Sequence, residues 1–179
     1  MGEFDTQVML PDVLELADQY FASIPERRRP SDSAHWRLDR NEYLRNFFWG
    51  FAFPTATWTG GTEIGADGKR AGQSYRRANP SKLKEVFEGY RYFATEADGV
   101  WTVGTERSGI KPKGDRQDER WWLSFFFDTV YDYPKDIRIP DSGLPVHITG
   151  FLSPKGQCGH LGQYDHEFYA TRISLLNGG

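Results

Sequence analysis

The sequence predicts a single α+β domain over residues 1–179. Two to three helices in a helical first part, residues 11–90, are expected to pack on a mainly β part, residues 90–176, that forms an antiparallel, strongly twisted sheet or a partly closed small β-barrel. Three observations carry this expectation. Apolar residues recur at three- and four-residue steps up to Tyr90 and at two-residue steps after it. Leu, Ile, Val and Phe make up only 22% of the chain, but 13 Phe, nine Tyr and six Trp supply a core in their place, because each large ring buries about 150–250 Å². Gly and Pro together number 29 of 179 residues, below the level of a low-complexity chain.

The first helix is predicted over residues 11–24. Val13, Leu16, Ala17, Tyr20, Phe21 and Ile24 share one face, and Pro11 and Asp12 suit a first turn. The second is predicted from Asp39, whose spacing to Glu42 resembles a capping box, to a point before Pro54, with Leu44, Phe47, Phe48 and Phe51 inward. Glycines at 60, 61, 65, 68 and 72 break the periodicity of residues 54–79, and Lys69, Arg70, Arg76 and Arg77 add charge, so an exposed basic loop or hairpin is expected there. Asn79-Pro80 then starts a third helix with Leu83, Val86, Phe87 and Tyr90 on its apolar face.

In the β part, residues 90–95 and 100–106 read as a hairpin around Asp98-Gly99. Residues 121–131 read as a long strand, with Trp121, Leu123, Phe125, Phe127 and Tyr131 on one face and Trp122, Ser124, Phe126, Asp128 and Val130 on the other. Residues 144–152 and 167–176 read as a final strand pair joined by a glycine-rich loop, residues 153–165, of a length that is often functional. That pair resembles the closing hairpin of a small OB-like barrel, a likeness of pattern that covers residues 144–176.

The formal charge of −3 disfavours a globally basic nucleic-acid binder, and no run of 18 apolar residues suggests a membrane span. The single cysteine excludes an internal disulfide. Residues 1–5 lack the features of a secretory leader, so a cytoplasmic protein is expected, or a periplasmic or exported one if Met1-Gly2 replaces a leader. No phosphate-binding glycine motif occurs, and no cofactor is expected.

The densest chemical cluster is Cys158, His160, Asp165, His166 and Glu167. A thiol two residues from an imidazole points the same way in an extended segment, so these residues are candidates for a metal site, and Cys158 with His160 or His166 for a nucleophile and base. Their spacing matches no strong zinc or protease signature, and Cys158 as a small apolar packing residue in a glycine-shaped loop is the simpler reading.

Trp36, Trp58, Tyr75 and Trp122 are the rings least explained by core periodicity, and with Arg70, Arg76 and Arg77 they form the candidate binding set. The expected function is therefore a non-enzymatic protein-binding domain, in the manner of an inhibitor or a toxin-neutralising protein. Two alternatives stand beside it: a small enzyme using residues 158–167, and single-stranded nucleic-acid binding by an OB-like barrel.

Overall fold

A computed structural model describes residues 10–25, 33–57, 61–104, 107–134 and 137–176; within these, the side chains of Ser33, Ala34, Trp36, Arg107, Phe127 and His160 are left aside. The described residues divide into two compact units, one up to Arg91 and one from Tyr92 onward. The first is helical and the second is a β-barrel, so the α+β class holds.

The helical unit contains α1 (Pro11–Ser23), α2 (Ser33–Ala52), α3 (Glu63–Ala78), a 3₁₀ turn (Pro80–Lys82) and α4 (Leu83–Gly89). Val13, Ala17 and Phe21 are the buried residues of α1, as its spacing predicts. The second helix starts at Ser33, so Asp39 and Glu42 lie inside it and form no capping box. Glu42 instead accepts a hydrogen bond from Thr62 Oγ1 at 2.6 Å, and Thr62 caps α3 by accepting from the Gly65 amide.

Residues 63–78 are a 16-residue helix and not the expected loop or hairpin. The glycines that hid the helical period are what let α3 touch α2. A Cβ on Gly68 or Gly72 would collide with the carbonyl oxygen of Tyr43 or Phe47, and one on Gly50 of α2 would collide with that of Lys69. Backbone contact this close excludes side chains, so the glycines cost helix propensity and gain an interhelical interface. Aromatic rings fill the rest of the unit: Phe48 packs on Phe87 and Tyr90 at 5.0 and 4.6 Å, and the Tyr90 hydroxyl donates to the Leu44 carbonyl at 2.7 Å.

The second unit contains β1 (Phe93–Gly104), β2 (Arg107–Pro112), β3 (Trp121–Asp132), β4 (Leu144–Leu152) and β5 (His166–Leu175). They close a barrel in the order β1-β2-β3-β5-β4, with β1 pairing β4 to complete the ring. The sheet is mixed and not purely antiparallel, because β3 and β5 run parallel.

Asp98-Gly99 is not a turn, and residues 93–104 form one strand. Gly99 sits where β1 pairs with β2 on one side and β4 on the other, facing Pro112 and Val146. A Cβ there would lie 2.7 Å from the Lys111 carbonyl oxygen, so the glycine serves a close strand approach.

The barrel interior is Trp101, Ile110, Trp121, Leu123, Val146, Ile148, Leu152, Phe168, Ala170 and Ile173, with Phe125 partly buried against it. Trp121 and Phe168 stack nearly parallel at 5.6 Å. The alternation predicted for β3 holds through Phe125, then a register shift before Val130 breaks it, and Tyr131 is exposed. Phe127, expected in the core, lies outside the described side chains.

Candidate binding groove

Residues 153–165, joining β4 to β5, fold back on themselves. Cys158 and Tyr164 bridge through paired backbone hydrogen bonds of 2.8 and 3.2 Å, and the Gly156 amide donates to the Asp165 carbonyl at 2.8 Å. The segment is tied to the start of β3 by a reciprocal contact. The Asp165 amide donates to the Arg120 carbonyl at 2.8 Å, and the Arg120 amide donates to Asp165 Oδ2 at 3.0 Å. That bond from Arg120, outweighing a smaller desolvation cost, holds the Asp165 carboxyl below its ordinary range. The loop is consequently a fixed structural element beside the barrel wall.

Its chemical residues are engaged inside that element. Cys158 is 5% exposed, its sulfur lies 3.8 Å from Ser153 Oγ, and burial pushes its thiol above the usual value. His166 is also 5% exposed. Its Nδ1 is 2.7 Å from the Ser153 carbonyl oxygen, so Nδ1 carries the proton, leaving Nε2 to accept from Arg116 Nη2 at 3.1 Å. Glu119 Oε2 stands 3.6 Å from the same Nε2 and also accepts from Trp121 Nε1 and Arg116 Nε, both at 2.8 Å.

Glu167 accepts from Ser124 Oγ at 2.7 Å, and burial raises its pKa. Cys158 and His166 each bond to Ser153 through different atoms and make no hydrogen bond to one another. No group of three His, Cys, Asp or Glu residues among the described ones is arranged to hold a metal ion. The His160 side chain lies outside the described ones.

A groove of about 420 Å³ opens between the end of β1, β2 and the loop, lined by Thr102, Val103, Gly104, Gly109, Ile110, Lys111, Arg120, Gln163 and Tyr164. Two glycines set its aromatic wall. The Tyr164 ring lies on the backbone of Gly109, where a Cβ would come within 2.7 Å of Cε1. Trp122 lies on Gly159, whose φ of +68° and whose missing Cβ, which would approach the indole to 2.6 Å, both require glycine. The two rings meet edge to face at 5.2 Å and 74°. Lys111 and Arg120 are exposed at this groove, and neither side chain forms an ion pair among the described residues.

Of the candidate binding residues, Trp122 alone belongs to the barrel unit. In the helical unit, Arg76 is 6% exposed over the Phe51 ring, and Tyr75 packs on Phe47 and Phe51 while its hydroxyl donates to Asp12. Arg70 pairs with Asp67, and Arg77 is exposed and bonded to Ser74. The Trp36 side chain and Trp58 lie outside what the structure describes.

Sequence reasoning does not single out Lys111, Arg120 or Tyr164. Only pairing Gly109 with Tyr164 across 55 positions marks the groove, and no local pattern contains that distance. A scan of protein-family models and a search of curated proteins both find no match to the chain.

Proposed function

We propose that this protein is a non-enzymatic binding domain that takes its ligand in the groove between β1, β2 and the 153–165 loop. The observation that carries the reading is the juxtaposition of a braced aromatic pair, Tyr164 on Trp122, with two exposed cations, Lys111 and Arg120, that form no ion pair among the described residues. Rigid rings contribute contact area at little entropy cost, and exposed cations add selectivity for negative charge. The non-catalytic reading draws support from Cys158 and His166, whose polar atoms are engaged in holding the loop.

The barrel is read as OB-like in use as well as in shape. In such barrels the ligand lies over strands 2 and 3 and beside the loops joining strands 1–2 and 4–5, and a groove lined by β2 and the β4–β5 loop supports this reading. A protein partner is the second reading, favoured by Leu161 at the loop tip, which is 77% exposed with a φ of +57°. An exposed leucine in a strained backbone conformation has neither a packing nor a conformational reason to persist.

Amide chemical-shift mapping of the 179-residue protein against short polymers of distinct chemistry tests the groove itself: oligonucleotide, sulfated oligosaccharide and acidic peptide. Shifts clustered at residues 102–104, 109–111, 120 and 163–164 with any of these are expected. Shifts confined to other surfaces would sink the reading.

A further inference from the structure

Resting on that groove reading, we propose that the ligand is single-stranded nucleic acid, one base stacking on Tyr164 and the flanking phosphates meeting Lys111 and Arg120. The argument starts from the ring. Tyr164 is held from below by Gly109 and from the side by Trp122, which is itself seated on Gly159. Tyr164 is partly exposed and lines the groove, and a ring braced in this way loses little freedom when a flat partner settles on it. Base stacking on an aromatic side chain is worth about 1–3 kcal/mol per base and tolerates any base, because every base has a π face.

Charge then selects among flat or extended ligands. Lys111 and Arg120 line the same groove as Tyr164, and neither side chain forms an ion pair among the described residues. Arg120 is held at its backbone by Asp165, so its position is fixed while its guanidinium stays available. Thr102 and Gln163 add hydrogen-bonding groups at the rim. A neutral saccharide leaves both cations unused, and an acidic peptide without aromatic residues leaves the Tyr164 ring unused.

The same inventory argues for one strand over two. In a duplex the base faces are already stacked and closed to Tyr164, and the phosphates carry one charge per roughly 1.7 Å of axis. Two cations on a chain of net charge −3 are a poor match for that density. A single strand offers unstacked bases and fewer charges per unit length, so stacking carries most of the affinity. Neutralising two phosphates of a single strand predicts a shallow salt dependence, with a slope of log K against log salt near about −1.4.

The test uses fluorescence anisotropy of a labelled 12-nucleotide oligothymidine with the full chain at about 50 mM salt, extended upward in salt. Unlabelled oligothymidine, its duplex with oligoadenosine, a sulfated oligosaccharide and an acidic peptide serve as competitors. Expected are competition by the single strand at least tenfold better than by the duplex, and the shallow slope. Tyr164→Ala should weaken binding about tenfold or more while Tyr164→Phe stays within about threefold, since one stacked base is worth roughly 1–3 kcal/mol.

Lys111→Ala and Arg120→Ala should each flatten the salt slope, and Lys84→Ala, an exposed lysine of the helical unit, should leave it unchanged. Circular dichroism on each variant separates loss of binding from loss of fold. Equal binding by wild type and a folded Tyr164→Ala, or equal competition by the duplex, overturns the proposal. Shifts at the groove with the saccharide or peptide, and none with the oligonucleotide, overturn the ligand class and leave the groove reading standing.

Discussion

Gly72 of α3 lies directly against Phe47 of α2: a Cβ at position 72 would collide with the Phe47 carbonyl oxygen and approach the Phe51 amide nitrogen to 2.9 Å. Both atoms are helix backbone, which cannot move aside without separating the helices. Gly72→Ala should therefore destabilise the protein by roughly 2–3 kcal/mol, as overpacking against a rigid neighbour does. Gly156→Ala is the comparison, because its nearest neighbour would be Cys158 Sγ at 3.9 Å. That change should be neutral or stabilise by about 0.5 kcal/mol through the unfolded chain. Urea denaturation of the two variants reads the contrast, and equal midpoints would contradict the close-contact account of α3.

Leu161 combines a left-handed backbone with 77% exposure. Removing its side chain relieves the conformational strain and uncovers almost nothing. Leu161→Gly should raise stability by about 0.5–1 kcal/mol after the entropy lost to glycine is deducted. Thermal melting would show the gain, and a lowered melting temperature would mean that the side chain packs in solution.

Two carboxylates at the base of the loop should give pH dependences of opposite sign. Burial holds Glu167 above the usual 4.5, so the folded state favours its protonated form. Its contribution is present below 4.5 and lost as pH rises through the raised folded value. Around Glu119, desolvation is outweighed by hydrogen bonds from Trp121 and Arg116, and its pKa falls below 4.5. That contribution is present above 4.5 and lost as pH falls through the depressed folded value. Glu167→Gln should accordingly gain stability relative to wild type as pH is raised to neutrality, and Glu119→Gln should lose it over the same rise. Denaturation midpoints across the acid range distinguish them, and parallel pH profiles for the two variants would refute the assignment.

The Cys158 thiol is raised by burial and 5% exposed, so it should react with a thiol-specific disulfide reagent only when the chain opens. Labelling of the native protein is expected to be slower than that of the urea-unfolded protein by a factor of ten or more. Cys158→Ala should cost about 1 kcal/mol or less, the effect of trimming a small packing group. Rapid native labelling would return Cys158 to the list of reactive nucleophiles.

The elements most legible from sequence are those whose period is carried by apolar side chains. The α1 face, the inward face of β3 up to Phe125, and the β4–β5 pair with its long loop all follow local spacing that one-sided burial demands. The failures share a cause. Gly65, Gly68 and Gly72 read as loop punctuation, and Gly99 as a turn, because local rules score glycine as a chain breaker. In the folded chain Gly68, Gly72 and Gly99 meet other backbone and Gly65 meets the side chains of Glu42 and Asn46, a reason that resides in a segment more than ten positions away.

The sequence by itself determined that this is an aromatic-cored α+β protein ending in a strand pair around a glycine-shaped loop, since composition and period are local properties. Tertiary structure alone decided the parallel β3–β5 seam, the burial of Arg76, and the meeting of Tyr164 with Gly109 beside Lys111 and Arg120. Each of these depends on which strand or helix faces which. For Arg76 the choice is the packing of α3 on α2; for the barrel features it is closure, because pairing β1 with β4 fixes the places of all five strands and so brings the 153–165 loop to the side of β2.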